Sequence, residues 1–88
     1  MKHLNIKIYG SVQDVNFRWF LKKKAQALNV TGIARNESDG TVYVEAEGEE
    51  NLLTEFVHYC HQGPSFARVE KVEVEEDKII GYKSFEIN

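Results

Sequence analysis

The chain has 88 residues, 42% of them hydrophobic and 28% charged, with a formal net charge of −3. That length leaves room for one hydrophobic core and not for two. The composition excludes a disordered or membrane-spanning chain, and the negative balance argues against a nucleic-acid partner.

The first element follows at once from Met1. Leu4, Ile6 and Ile8 alternate with Asn5, Lys7 and Tyr9, which predicts a half-buried strand ending at Gly10. No apolar run of a signal peptide precedes it. Residues 11–17 carry no clear period. From Arg18 to Asn29 the apolar residues Phe20, Leu21, Ala25 and Leu28 recur at helical spacing, with Phe17 at the entry. Lys22, Lys23 and Lys24 lie mostly opposite, so this segment is an amphipathic helix packed on a sheet, with Asn29 as its stop.

Val30–Asn36 reads as a second strand and Thr41–Glu47 as a third, with Val42, Val44 and Ala46 on one face. Glu37-Ser38-Asp39-Gly40 joins them, and the Asp-Gly pair is expected to supply the positive φ angles of a tight hairpin. The second helix is expected from about Glu50 to His61, with Leu53, Phe56, Val57 and Cys60 as its apolar stripe, and Leu52 is also assigned to the core. Gly63-Pro64 ends it, since proline cannot continue a helix and glycine tolerates a left-handed cap. Val72 and Val74 alternate with Glu73 and Glu75 in a fourth strand, and a short last strand carries Phe85 and Ile87. The order β-α-β-β-α-β with an extra terminal strand predicts an α+β, ferredoxin-like sandwich across residues 1–88, an antiparallel sheet with two helices on one face.

Chemistry concentrates in Gly10-Ser11-Val12-Gln13-Asp14-Val15-Asn16-Phe17-Arg18. A loop between a strand end and a helix start turns several N–H groups toward one point, where the helix terminus adds positive potential. Such a concavity takes phosphate or carboxylate. Arg18 adds a planar fork of donors matched to phosphoryl oxygens.

This stretch resembles the acylphosphatase signature, whose usual form is G-x-V-Q-G-V-x-F-R. The resemblance continues through Ala25, Val30-Thr31-Gly32, Arg35-Asn36, Asp39-Gly40-Thr41-Val42 and Glu47-Gly48. It runs on through Gly63-Pro64, Ala67-Arg68-Val69 and Phe85-Glu86-Ile87, so it spans nearly the whole chain. It implies hydrolysis of a carboxyl-phosphate anhydride to a carboxylate and phosphate. The amides from Gln13 through Asp14, Val15, Asn16 and Phe17 to Arg18, with the Arg18 guanidinium, would hold the phosphoryl group, and Asn36 would position the attacking water. No metal, cofactor or covalent intermediate is implied. The chemistry is consistent with so sparse a site. The leaving carboxylate derives from an acid of pKa ~4 and needs no proton.

Asp14 stands where the family pattern has glycine, and Ile33 where it often has tryptophan. Asp tolerates left-handed geometry better than most residues. Its charge leaves two outcomes. A carboxylate turned to solvent leaves a working site, whereas one turned inward takes the loop amides and disarms it.

Other clusters read less strongly. His58, Cys60 and His61 lack a second ligand cluster at zinc-site spacing. Trp19 and Tyr43 could serve as stacking platforms for nucleic acid, against the acidic balance. Cys60 is the only cysteine, so no intrachain disulfide forms and a cytoplasmic address is the default. The expected partner is a small-molecule acyl phosphate, with no nucleic acid and no membrane, and a monomer is the simplest expectation.

Overall fold

The computed structural model describes all residues, Met1–Asn88. Its elements are β1 (Lys2–Ser11), α1 (Phe17–Ala27), β2 (Thr31–Asn36), β3 (Val42–Gly48), α2 (Glu50–Gln62), β4 (Arg68–Asp77) and β5 (Phe85–Ile87). No helix is long and apolar enough to cross a membrane.

The five strands form one sheet in the order β4-β1-β3-β2-β5. Each neighbouring pair among the first four runs antiparallel, which is the ferredoxin-like arrangement. The extra strand departs from the expected pattern, because β5 runs parallel to β2, pairing Gly32 with Phe85 and Ala34 with Ile87. β4 ends beside the start of β1, at the end of the sheet where β2 also starts, so the chain crossing from there enters beside β2 in the same sense.

The period-2 alternation puts Ile6, Ile8, Val42, Val44 and Ala46 on one face, all fully buried. Onto that face α1 packs Phe17, Leu21 and Ala25, and α2 packs Leu53, Phe56 and Cys60. Leu52 and Val57 are half-buried at the margin of the α2 stripe. β4 begins at Arg68, ahead of the Val72–Val74 alternation, and lies at the sheet edge, where Val74 is exposed.

Two glycines are there because nothing else fits. A register shift interrupts the β1–β4 ladder between Tyr9 and Gly10. At Gly10, with φ 131°, a Cβ would stand 2.1 Å from the Arg68 carbonyl oxygen. At Gly32, with φ 150°, it would stand 1.8 Å from the Glu45 carbonyl oxygen. The kink at Gly10 releases the chain from the ladder just where the β1–α1 loop begins.

The hairpin between β2 and β3 differs from the expected tight turn. Only Gly40, at φ 90°, takes a positive φ there. Gly40 N–H donates to the Glu37 carbonyl at 3.1 Å, and Glu37 N–H donates to the Thr41 carbonyl at 2.9 Å. Asp39 contributes its carboxylate instead of a positive φ. Its Oδ1 accepts from the Thr41 hydroxyl at 2.6 Å and the Thr41 amide at 3.1 Å, while its Oδ2 pairs with Lys7 Nζ at 3.0 Å. The Thr41 hydroxyl, then the Thr41 amide and Lys7, hold the Asp39 carboxyl down at about 2.

The face away from the helices carries a feature that no pattern announced. His3 and Glu47 are both buried there, with Nδ1 and Oε2 2.7 Å apart. The Glu47 carboxylate also accepts the backbone N–H groups of Ile80, Gly81 and Tyr82 at 2.6–3.0 Å. The connection from β4 to β5 is thereby latched across the sheet. Tyr82 completes the latch by stacking on His3 and donating its hydroxyl to Glu45 at 2.6 Å.

Candidate active site

The β1–α1 loop turns on two left-handed residues. Asp14 and Asn16 both sit at φ 62°, with Val15 between them. Asp and Asn are among the few side chains that reach this region at modest cost, so Asp14 meets the backbone demand that glycine would have met. Asp14 is exposed. Val15 packs its side chain against the core cluster, which anchors the middle of the loop.

Asn16 is the residue before α1 and makes no side-chain cap. The first helical hydrogen bond is Phe20 N–H to the Asn16 carbonyl at 3.0 Å, so the amides just before Phe20 have no helical acceptor. No acidic residue stands in the first turn of α1, which leaves the positive pole of the helix without an internal counter-charge. In α2, by contrast, Glu50 occupies the first turn.

Asp14, Asn16, Phe17, Arg18 and Asn36 come together around one recess of about 260 Å³, which Val12 and Trp19 also line. Arg18 and Asn36 are far apart in sequence and arrive from different elements, the first turn of α1 and the last residue of β2. Arg18 Nη1 donates to the main-chain oxygen of Asn88 at 2.7 Å, and Asn88 N–H donates to the Ala34 carbonyl at 3.0 Å. The guanidinium is therefore tied to β2 close to Asn36.

Gln13 does not line the recess with its side chain. Its Nε2 reaches across to the β2–β3 turn and donates to the carbonyls of Glu37 at 2.8 Å and Thr41 at 2.9 Å. One amide group thus ties the loop to the residue that follows Asn36. Asn36 itself pairs with Val42 in the β2–β3 ladder, which fixes its backbone at the end of the sheet.

The remaining candidates separate. His58 and His61 are exposed while Cys60 is fully buried, and burial pushes the Cys60 thiol well up. No three His, Cys, Asp or Glu side chains converge in a metal-holding arrangement. Tyr43 is half-buried, with the Arg35 guanidinium 4.6 Å from its ring centroid and its hydroxyl on Glu45 at 2.8 Å. That ring is occupied from within. Trp19 is 57% exposed, with Lys22 Nζ 5.4 Å from its ring centroid. Its place on the recess follows from standing beside Arg18 at a helix start, a signal present in the sequence. The Gln13 and Asn88 contacts had no such signal.

The acylphosphatase family model matches residues 4–87. The acylphosphatase of Thermotoga maritima is 44% identical over 87 residues, covering 99% of this chain and 97% of that protein. Among solved structures, an acylphosphatase from Bacillus subtilis superposes with a TM-score of 0.97 at 35% identity, over 100% of this chain and 99% of that one. An acylphosphatase from Coxiella burnetii does so at 0.95 and 32% identity, over 99% and 92%.

Proposed function

The chain belongs to the acylphosphatase family and is an acyl phosphate hydrolase, and from that premise we propose that the recess between the β1–α1 loop and Asn36 is where the reaction runs. The amides from Gln13 to Arg18 and the Arg18 guanidinium hold the phosphoryl oxygens, and Asn36 holds the water. The observation that carries this reading is the convergence of Arg18 and Asn36 on one recess at the uncapped N-terminus of α1.

Water attacks phosphorus, forming the new O–P bond as the P–O bond to the acyl group breaks. The bonding pair leaves on the carboxylate oxygen, and the proton of the water passes to a phosphoryl oxygen. A carboxylate is stable as the free anion at neutral pH, so no general acid is required. What remains is positioning, together with stabilisation of charge on the equatorial oxygens. Fixed amides and one guanidinium supply the charge stabilisation without reorganising. The Asn36 amide oxygen accepts from the water and orients its lone pair.

The reading extends to a small-molecule substrate, a loop that binds phosphate, and a cytoplasmic monomer. A buried free thiol at Cys60 suits a reducing compartment, and the net charge of −3 disfavours polyanionic partners. The test is benzoyl phosphate hydrolysis by the native chain, Arg18→Ala and Asn36→Ala, each with and without a chelator. Loss of at least about a hundredfold in kcat/KM for each variant is expected, by analogy with removal of one preorganised donor. Variants that turn over at the native rate would place the chemistry elsewhere.

A further inference from the structure

Trp19 is the one large apolar side chain that is both exposed and on the recess. The other exposed large hydrophobics, Met1, Phe66, Val74, Ile79 and Ile80, do not line it. Val12 and Phe17, which do line it, are buried in the core. The exposed indole offers apolar area that a group bound beside Arg18 would bury.

The recess measures about 260 Å³ and is open to solvent, and Trp19 lines it together with Arg18. A substrate whose phosphoryl group is held at Arg18 places its acyl group in the same recess. Lys22 stands near the ring, and a cation there restrains an otherwise free indole.

We infer that Trp19 is a specificity-determining residue which receives the acyl group of the substrate and favours flat, apolar acyl groups over small aliphatic ones. The inference rests on the proposed placement of the phosphoryl group at Arg18. Stacking of one aromatic group on another, with the area it buries, corresponds to about a tenfold preference.

The test compares kcat/KM for benzoyl phosphate and acetyl phosphate in the native chain, Trp19→Ala and Trp19→Phe. The benzoyl-to-acetyl ratio should fall about tenfold in Trp19→Ala and recover for the most part in Trp19→Phe. A binding readout independent of turnover accompanies it. Trp19 is the only tryptophan in the chain, so its emission should respond to phenylphosphonate at concentrations where methylphosphonate leaves it unmoved. An unchanged ratio in a chain that still hydrolyses both substrates, or equal emission responses to the two phosphonates, overturns the role of Trp19 and leaves the hydrolase reading intact. No turnover of either substrate by the native chain overturns the hydrolase reading, and this inference with it.

Discussion

Replacing Asp14 by Asn should tighten the site for phosphate. Both residues accept the left-handed φ of 62° found there, so the substitution removes a charge and leaves the loop path alone. Asp14 lines the same recess as Arg18. A carboxylate about 6 Å from a phosphoryl charge repels it by ~3 kcal/mol at an effective dielectric of 20 and ~0.7 kcal/mol at that of water. Asp14 is exposed, so the lower figure governs each pair of charges. Against a dianion the sum is about 1.4 kcal/mol, or tenfold. The assay is competitive inhibition of benzoyl phosphate hydrolysis by inorganic phosphate, at low ionic strength and again at 1 M salt. Asp14→Asn should lower the inhibition constant about tenfold at low salt and hardly at all at 1 M, where the Debye length is ~3 Å. Asp14→Gly separates charge from conformation. If charge is what matters the two variants agree, and if the missing Cβ matters only the glycine variant gains. Equal inhibition in the native chain and Asp14→Asn at low salt would refute the electrostatic argument, and weaker inhibition would make the carboxylate a working part of the cradle.

Gln13→Ala should lower kcat at least tenfold with a stability loss of only ~1–2 kcal/mol from two lost hydrogen bonds, read by comparing kinetics with urea unfolding. Gln13→Glu should be worse than alanine in both, since a carboxylate cannot donate to the Glu37 and Thr41 carbonyls and would be held against them. The His3–Glu47 pair predicts a stability maximum on the mildly acidic side. Burial disfavours the charged His3 ring, but the hydrogen bonds to Glu47 and Asn5 and the charges of Glu47 and Glu45 outweigh it and raise its pKa. Its contribution is therefore complete below the ordinary histidine value and is lost as pH rises through the raised one. Burial likewise opposes ionisation of Glu47, but the amides of Ile80, Tyr82 and Gly81 and the His3 ring bring its pKa below the ordinary value, so that contribution is lost on acidification. Urea midpoints across pH should show both flanks, and His3→Gln should flatten the alkaline one.

The sheet and both helices were legible because each buries one face, and one-sided burial leaves a period in the sequence. Ile6 and Ile8 in β1 and Leu53, Phe56 and Cys60 in α2 are as buried as their spacing requires. Arg18 was legible for a different reason. It sits in a contiguous strand-loop-helix segment, so a local motif captures it together with its amides. The His3–Glu47 latch was not, because its partners at Ile80, Gly81 and Tyr82 lie more than thirty residues from Glu47. Residues 78–84 also carry no period of their own. The Gln13 contacts fail for the same reason. They are made to carbonyls, which every residue has, and so no residue type marks them. The parallel entry of β5 was hidden because a three-residue strand has an alternation but no direction.

Why Arg18 and Asn36 meet at all follows from the strand order. β3 lies between β1 and β2 and runs against both, so β1 and β2 point the same way and end at the same edge of the sheet. The ladders put Ile8, Val42 and Asn36 in one row across the three strands. Two strand spacings of ~4.8 Å separate the outer members of that row, about 10 Å in all. The chain leaving β1 is bent off the ladder at Gly10 and must turn into α1, which packs over the same end of the sheet, so the loop amides and Arg18 come to overhang that gap. Gln13 spans it on the protein side, to carbonyls on either side of the turn that starts β3. A phosphoryl group with hydrogen bonds of ~2.9 Å on each flank is of the size to span it on the solvent side. Each donor of the site is thus placed by an element whose own position is set by core packing. That is how a chain of this size can hold an anion site rigid while contributing only one cationic side chain to it.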